Sequence, residues 1–391
     1  MRTRLLLALV GLCLLAGFAF IPSAAAAKAR PRAASWTVMV YMDGDNNLES
    51  YIALDFANEL AALGSNRDVQ VVALADRTPG YDKSAGDWTG TLLFHATQGM
   101  TATPENAVAD WGERNMGDPQ TLIDFMTWTK STYRASHYAL VLWDHGGMWR
   151  PDGTMWDTTS GDGLDQDEIA VALASAGPVD VVGYDACQSA TIEVAATWRP
   201  YCQAIAASEE TIGMTGIEYD LVIAALRANP ALTATECAVK IAESDASDPE
   251  FSAVALGADY DALVAAVDQW AVALTAGLPV ERSAYASAYR KTQNFYTPVN
   301  VDLYDMAREI QAQVSDPVLK ACCQSVIDAL MAVVLAERHA GNKYADCHGL
   351  TIFWPQRQQD LAWYDFDYYP TMRFAQLTQW DEFLTAYVLS P

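Results

Sequence analysis

Two patterns of apolar residues alternate along most of the chain. Short runs rich in β-branched and aromatic residues occur at 37–42 (TVMVYM), 69–75, 91–96, 138–143 (YALVLW), 179–184 (VDVVGY) and 203–208. Between them lie stretches with apolar residues every three or four positions, at 48–63, 118–132, 165–176 and 189–198. The first pattern predicts buried strands and the second amphipathic helices. Their alternation predicts an α/β fold: a largely parallel β-sheet with helices on both faces. After about residue 258 the spacing stays helical for nearly ninety residues, then a strand-like run returns at 349–354, closed by Pro355. That last run is expected to rejoin the sheet. Residues 36–257 then form the core, and 258–391 a C-terminal helical elaboration.

The N-terminus follows neither pattern. Arg2 and Arg4 precede an apolar run from Leu5 to Ile21, and Pro22, Ser23 and four alanines follow. Basic, apolar and small segments in that order predict a secretory signal peptide over 1–27, with 28–35 a short linker. An uncleaved anchor is the rival, but the run is at the lower limit for spanning a bilayer and the alanines favour cleavage. Alanine-rich stretches near 261–276 and 321–336 contain Asp268 and Asp328 and read as amphipathic helices. The mature chain is therefore expected to be soluble and secreted or periplasmic, with no membrane contact.

Composition narrows the function classes. Hydrophobic residues are 51% of the 391 and charged residues 19%, which excludes extended disorder. A formal charge of −25 argues against nucleic acid, whose phosphates need clustered Lys and Arg. It suits cations or basic peptides.

In parallel sheets, ligands bind beyond the carboxyl ends of strands. After YALVLW comes Asp144-His145-Gly146-Gly147; after VDVVGY comes Asp185-Ala186-Cys187-Gln188. A thiol nucleophile needs these parts: Cys187 to attack a carbonyl and His145 to protonate the leaving amine. Turn N–H groups can hold the oxyanion, and Gly146 lets backbone approach closely. A helix beginning near Ser189 would lower the thiol's pKa. A buried structural Cys and a structural His are the competing reading.

The segments LVLWDHGGMW (140–149) and VDVVGYDACQSATIEVA (179–195) resemble the clostripain family of cysteine peptidases. WTVMVYMDGDNNLE (36–49), ASEETIGMTGIEYD (207–220), VDLYDMA (301–307) and HGLTIFWP (348–355) extend the resemblance over nearly the whole mature chain. It implies a caspase-like fold, a His145–Cys187 dyad and hydrolysis after Arg or Lys, with oxyanion N–H groups from Gly146 and Cys187. It implies that Asp185 is the acid of the specificity pocket, in keeping with a carboxylate's fit to guanidinium; a helix cap is the alternative. A second pocket acid is expected, with Glu218 the candidate and Glu209, Glu210 and Asp220 its rivals. Activation by cleavage at a basic residue between His and Cys is common in the family; here only Arg150 fits. Ca²⁺ use is also common. Asp43, Asp45, Asp162, Asp165 and Asp167 are the acids at hand, but they do not form the twelve-residue calcium loop. Helix capping by Asp165 and a polar turn at 43–47 are the simpler readings. Met148 interrupts the family's glycines after the His.

The implied function is an exported cysteine endopeptidase acting on Arg- or Lys-containing proteins and peptides. An inactive caspase-like secreted binding module, or a related peptidase specific for Lys or Asn, are the alternatives. Asp346-Cys347-His348 is set aside because neighbours on an extended strand face opposite ways. Cys322-Cys323 lacks a metal-binding spacing and reads as core or disulfide partners. The metal ligands, oligomeric state and cysteine pairing are not encoded in any motif.

Overall fold

The computed structural model describes residues 33–244 and 249–389. The expected signal peptide and the start of the expected linker lie outside the described residues.

Thirteen strands occur among them: β1 (Ala34–Gly44), β2 (Val69–Arg77), β3 (Gly90–His95), β4 (Ala109–Asp110), β5 (Ala135–Trp143), β6 (Thr154–Asp157), β7 (Asp162–Leu164), β8 (Val181–Asp185), β9 (Ala204–Ala207), β10 (Glu250–Ala255), β11 (Asn300–Asp302), β12 (Val334–His339) and β13 (Thr351–Phe353). Nine form one sheet in the order β12-β10-β9-β8-β5-β1-β2-β3-β4. The five central strands, β9-β8-β5-β1-β2, are parallel. The pairs outside them are antiparallel.

Period-two alternation explains why these strands read as continuous apolar runs. Along β1, Trp36, Val38, Val40 and Met42 enter the core on one face, while Met39 and Tyr41 enter the core on the other. Both faces are covered by helices, so neither needs polar residues. Ile52, Phe56, Val222, Ile223 and Ile241 cover the first face. Leu122, Phe125, Ile169 and Leu173 cover the second.

The C-terminal region differs from the expectation. The strand expected near 349–354 does not rejoin the large sheet: β13 pairs antiparallel with β11 in a separate two-stranded sheet. β12 takes the edge instead, antiparallel to β10. The apolar run of β13 is buried under helices rather than by sheet neighbours. The sequence of β12, VLAERH, follows the helix Pro317–Val333 without a break in its polar spacing. The helix Ala258–Tyr289 is the one helix among the described residues with the length and apolarity of a membrane span. Its Leu263, Val267, Trp270 and Leu274 are buried within the protein, and Trp270 stacks on Trp380 at 5.4 Å.

Candidate active site

β5 and β8 are neighbours, with Trp143 opposite Asp185. The residues that follow them therefore emerge side by side, and the Asp144 N–H donates to the Asp185 carbonyl at 3.2 Å. His145 and Cys187 line one cavity of about 130 Å³, together with Asp55, Trp143, Asp185 and Met214. The strand order reverses between β1 and β5, so the loops after these two strands flank the switch point where ligands bind.

The loop after β1 holds the histidine in place. His145 Nε2 donates to Asn47 Oδ1 at 3.0 Å. Next to it, Asn46 Nδ2 donates to Asp144 Oδ1 at 2.7 Å and to the Trp156 carbonyl at 3.0 Å. Burial pushes the His145 pKa below its ordinary value, because a desolvated imidazolium is disfavoured.

Gly146 and Cys187 meet backbone to backbone. A Cβ on Gly146 would lie 2.1 Å from the Cys187 carbonyl oxygen and 2.9 Å from its nitrogen. The turn past Cys187 is held by Gln188, at φ 50°, whose N–H donates to Glu210 O at 2.9 Å. The following helix starts at Ile192, not near Ser189, with Thr191 as its N-cap. Its positive end is therefore farther from the thiol than expected.

Asp185 does not cap that helix. Its carboxylate accepts from Ile217 N–H at 3.2 Å and from Tyr219 Oη–H at 2.7 Å. Gly216, at φ +53°, packs so closely that a Cβ would lie 2.0 Å from Asp185 Oδ1. Glu218 is not in the cavity wall; it occupies the N-cap position of the helix Tyr219–Ala228. Glu209 accepts from Gly349 N–H, Glu210 from Tyr344 Oη–H, and Asp220 from Leu221 N–H, all outside the wall. Two further acids line the cavity: Asp144, engaged by Asn46 and the Trp156 N–H, and Asp55, which accepts from Trp143 Nε1–H at 2.8 Å. Burial, with the charge of Asp185 added, pushes its pKa up to about 8. The sequence carried one signal for it: an acid within the buried face of a helix, between Ile52 and Phe56. The helix then passes into a π turn, Phe56–Leu60, a feature frequent at functional sites.

Arg150 lies in a second cleft beside His145, which Trp156, Asp365 and Tyr368 also line. Its guanidinium is 3.6 Å from Asp365 and lies over the Tyr364 ring. The bond after it leads to Pro151. Met148, where the family's glycines are interrupted, takes φ 65° and is buried.

The other histidines and cysteines have structural settings. His348 stacks on Tyr304 at 3.9 Å, and Cys347 is buried with its pKa pushed up. None of the six described cysteines, Cys322 and Cys323 included, is in a disulfide.

The residues matched by the clostripain family profile run from 40 to 387. The chain belongs to the clostripain family. Clostripain of Hathewaya histolytica is 30% identical over 221 residues, covering 49% of this chain and 42% of that protein; the chain thus spans less than half of that relative's length. Two solved structures share the fold. A secreted C11 cysteine protease from Bacteroides thetaiotaomicron, in complex with an irreversible peptide inhibitor, has TM-score 0.65 at 18% identity, covering 89% of this chain and 99% of that one. An inactive zymogen C11 protease from Parabacteroides distasonis has TM-score 0.66 at 18% identity and the same coverage. These place the central sheet in the caspase-like fold.

Of the acids expected to bear on Ca²⁺, three have other partners. Asp165 forms a capping box with Glu168, Asp162 accepts from Asn115, and Asp167 accepts from Thr371. Asp45 instead joins Asp76, Glu113 and Asp157, residues far apart in sequence. Each offers one carboxylate oxygen, all within 4.8 Å of one another. Both Asp45 oxygens and Asp76 Oδ2 are buried without a hydrogen-bond partner. Orphaned, buried, all-oxygen donors are suited to a hard divalent cation.

Proposed function

We propose that this protein is an exported cysteine endopeptidase that cleaves after arginine, and less readily after lysine. The observation that carries the reading is the cavity shared by Cys187 and His145, walled by the carboxyl groups of Asp55 and Asp185. Membership of the clostripain family supports the same chemistry.

In this reading the Cys187 thiolate attacks the carbonyl carbon of the scissile bond. The carbonyl electron pair moves onto oxygen, where the N–H groups of Gly146 and Cys187 receive it. As the tetrahedral adduct collapses, the C–N bond breaks and His145 gives its proton to the departing amine. Water, deprotonated by His145, then hydrolyses the thioester and releases the thiol. Because Asn47 Oδ1 accepts from Nε2–H, proton exchange with the reacting atoms falls to Nδ1. Asp185 and Asp55 receive the substrate guanidinium; their two carboxyl groups match its several N–H donors better than a compact ammonium.

Cys187→Ala is expected to abolish hydrolysis of an arginyl reporter peptide while leaving the circular dichroism spectrum and Tm unchanged. Retained hydrolysis would overturn the assignment. Labelling of Cys187 by an arginine-bearing thiol-reactive probe separates this reading from an inactive binding module, which would stay unlabelled.

A further inference from the structure

We propose that the cleft beside His145 receives the polypeptide segment on the leaving-group side of the scissile bond, and that it favours a lysine or arginine there. Sites with a second basic residue shortly after the cleaved arginine would then be preferred. This rests on the reading of Cys187 and His145 as nucleophile and acid/base.

Two cavities meet at His145. The smaller is lined by Cys187, Asp55 and Asp185 and takes the arginine side chain in that reading. The larger, of about 1250 Å³, is lined by His145, Gly146 and Gly147 but not by Cys187. After the first step the acyl half of the substrate stays bonded to Cys187, whereas the amine half departs beside the imidazole that protonates it. The departing segment therefore belongs on the His145 side, where the larger cleft lies. Were its sides equal, a cleft of that volume would be about 11 Å across, the length of roughly three extended residues.

The walls of this cleft select by charge. Among the described residues, Asp152, Asp365 and Asp367 line it with a single cation, Arg150. That cation is already engaged, 3.6 Å from Asp365 and over the Tyr364 ring. Among the described residues no lysine or arginine pairs with Asp152 or Asp367. Burial, together with the charges of Asp162, Asp165 and Asp365, pushes the Asp152 pKa up, which is the mark of negative charge without a neutralising partner. A cation entering the cleft relieves that repulsion, and an acidic side chain adds to it.

An aromatic surface stands in the same wall. Trp156 lines the cleft with its side chain exposed. Its backbone is held from both sides: the N–H donates to Asp144 Oδ2 at 2.5 Å, and the carbonyl accepts from Asn46 Nδ2 at 3.0 Å. The loops that carry His145 and Asn47 thus fix where the indole stands. An indole face attracts the cation of lysine or arginine more strongly than other aromatic rings do. Carboxylates and an indole around one space suit a basic side chain on the departing segment.

Internally quenched peptides with one scissile arginine and one lysine provide the test. In three of them the lysine stands first, second or third after the scissile bond; in the reference isomer it stands sixth, beyond the cleft. The isomers share composition and net charge, so the long-range field of the acidic protein acts on all of them. For at least one near isomer kcat/KM should exceed that of the distant isomer by about fivefold or more. Glutamate at the same position should lower it relative to its own distant isomer. The near-to-distant ratio is taken within each variant, so differences in folded fraction cancel. Asp152→Asn combined with Asp367→Asn should bring the lysine ratio close to one, and Trp156→Leu should lower it. Arg150→Ala should raise it, because a like charge is gone and Asp365 is released; loosening of the fold would not produce these opposite signs. A lysine ratio near one at all three positions, a ratio above one for glutamate, or a lysine ratio unchanged in the double variant overturns the inference. An arginyl coumaryl amide, whose leaving group carries no peptide, distinguishes the two levels of failure. If the unmutated protein hydrolyses it while the lysine ratio stays near one, the cleft assignment falls and the peptidase reading stands. If the protein hydrolyses neither the amide nor the peptides, both fall.

Discussion

At Asp55 the pocket has a carboxyl group whose charge depends on what enters. Burial keeps it protonated to about pH 8, so near neutrality it is mostly uncharged. In the proposed reading an arginine side chain entering the cavity would stabilise the carboxylate and expel the proton. Selectivity for arginine should therefore rise with pH until Asp55 ionises unaided, and then level. The ratio of kcat/KM for arginyl over citrullyl reporters isolates this effect, because both substrates share any dependence on His145. The expected ratio increases from pH 6 to about 8. In Asp55→Asn it should be flat and lower by roughly 10–100-fold, the value of a charge-assisted hydrogen bond of about 1.5–3 kcal/mol. A ratio that is flat in the unmutated protein would remove Asp55 from the specificity pocket. Legibility at this scale depended on position along a strand. His145 and Cys187 follow apolar strands, where chemistry is expected. Asp55 sits inside a helical pattern and Asn47 in an ordinary polar turn, and only the fold brings them to the cavity.

The elements that carry the site are those with the plainest periodicity. β1, β5 and β8 are buried on both faces, so their unbroken apolar runs mark them and, through their ends, the site. β12 and β13 were not legible in their pairing, because backbone partners are chosen by geometry that no local pattern records. Nor was the start of the helix at Ile192: Ser189 and Ala190 fit a helical spacing, yet the Ala190 backbone is used by Ser208 and Thr351. The Ala190 N–H donates to Ser208 O, and its carbonyl accepts from Thr351 N–H, each at 2.9 Å. This keeps Ser189 and Ala190 out of the helix and leaves the Cys187–Gln188 turn to pack on Gly146. Gly146→Ala should consequently displace Cys187, the proposed nucleophile. With a Cβ 2.1 Å from the Cys187 carbonyl oxygen, backbone must move. The expected loss in kcat is about 10² or more, as for an ångström-scale misplacement, with a stability cost of roughly 1–3 kcal/mol from overpacking. Kinetics on the arginyl reporter and thermal melts check both. Unchanged kcat would show that the two backbone segments need not touch for catalysis.

Over the whole molecule, 49 acidic residues against 24 basic ones produce a negative field that acts before any pocket contact. In the proposed reading its use differs from that of Asp55 and Asp185. A long-range field accelerates encounter with basic peptides and is screened by salt, whereas contacts in a buried pocket are screened far less. The two contributions separate by ionic strength. Between about 0.01 M and 1 M salt the Debye length falls from about 30 Å to 3 Å. Over that range kcat/KM for a peptide with several basic residues should fall by roughly tenfold or more, within the span of electrostatic rate effects. For a peptide with a single arginine and no other charge the fall should be smaller. The arginyl-to-citrullyl ratio measured on otherwise neutral peptides should change least, because it reports the buried carboxylates. Alkylation of Cys187 by uncharged iodoacetamide provides the control for salt effects on the thiol itself. Equal salt sensitivity for the polybasic and singly charged peptides would mean that the net charge does not steer substrates, and that any preference for basic sequences arises entirely in the cavities at the ends of β5 and β8.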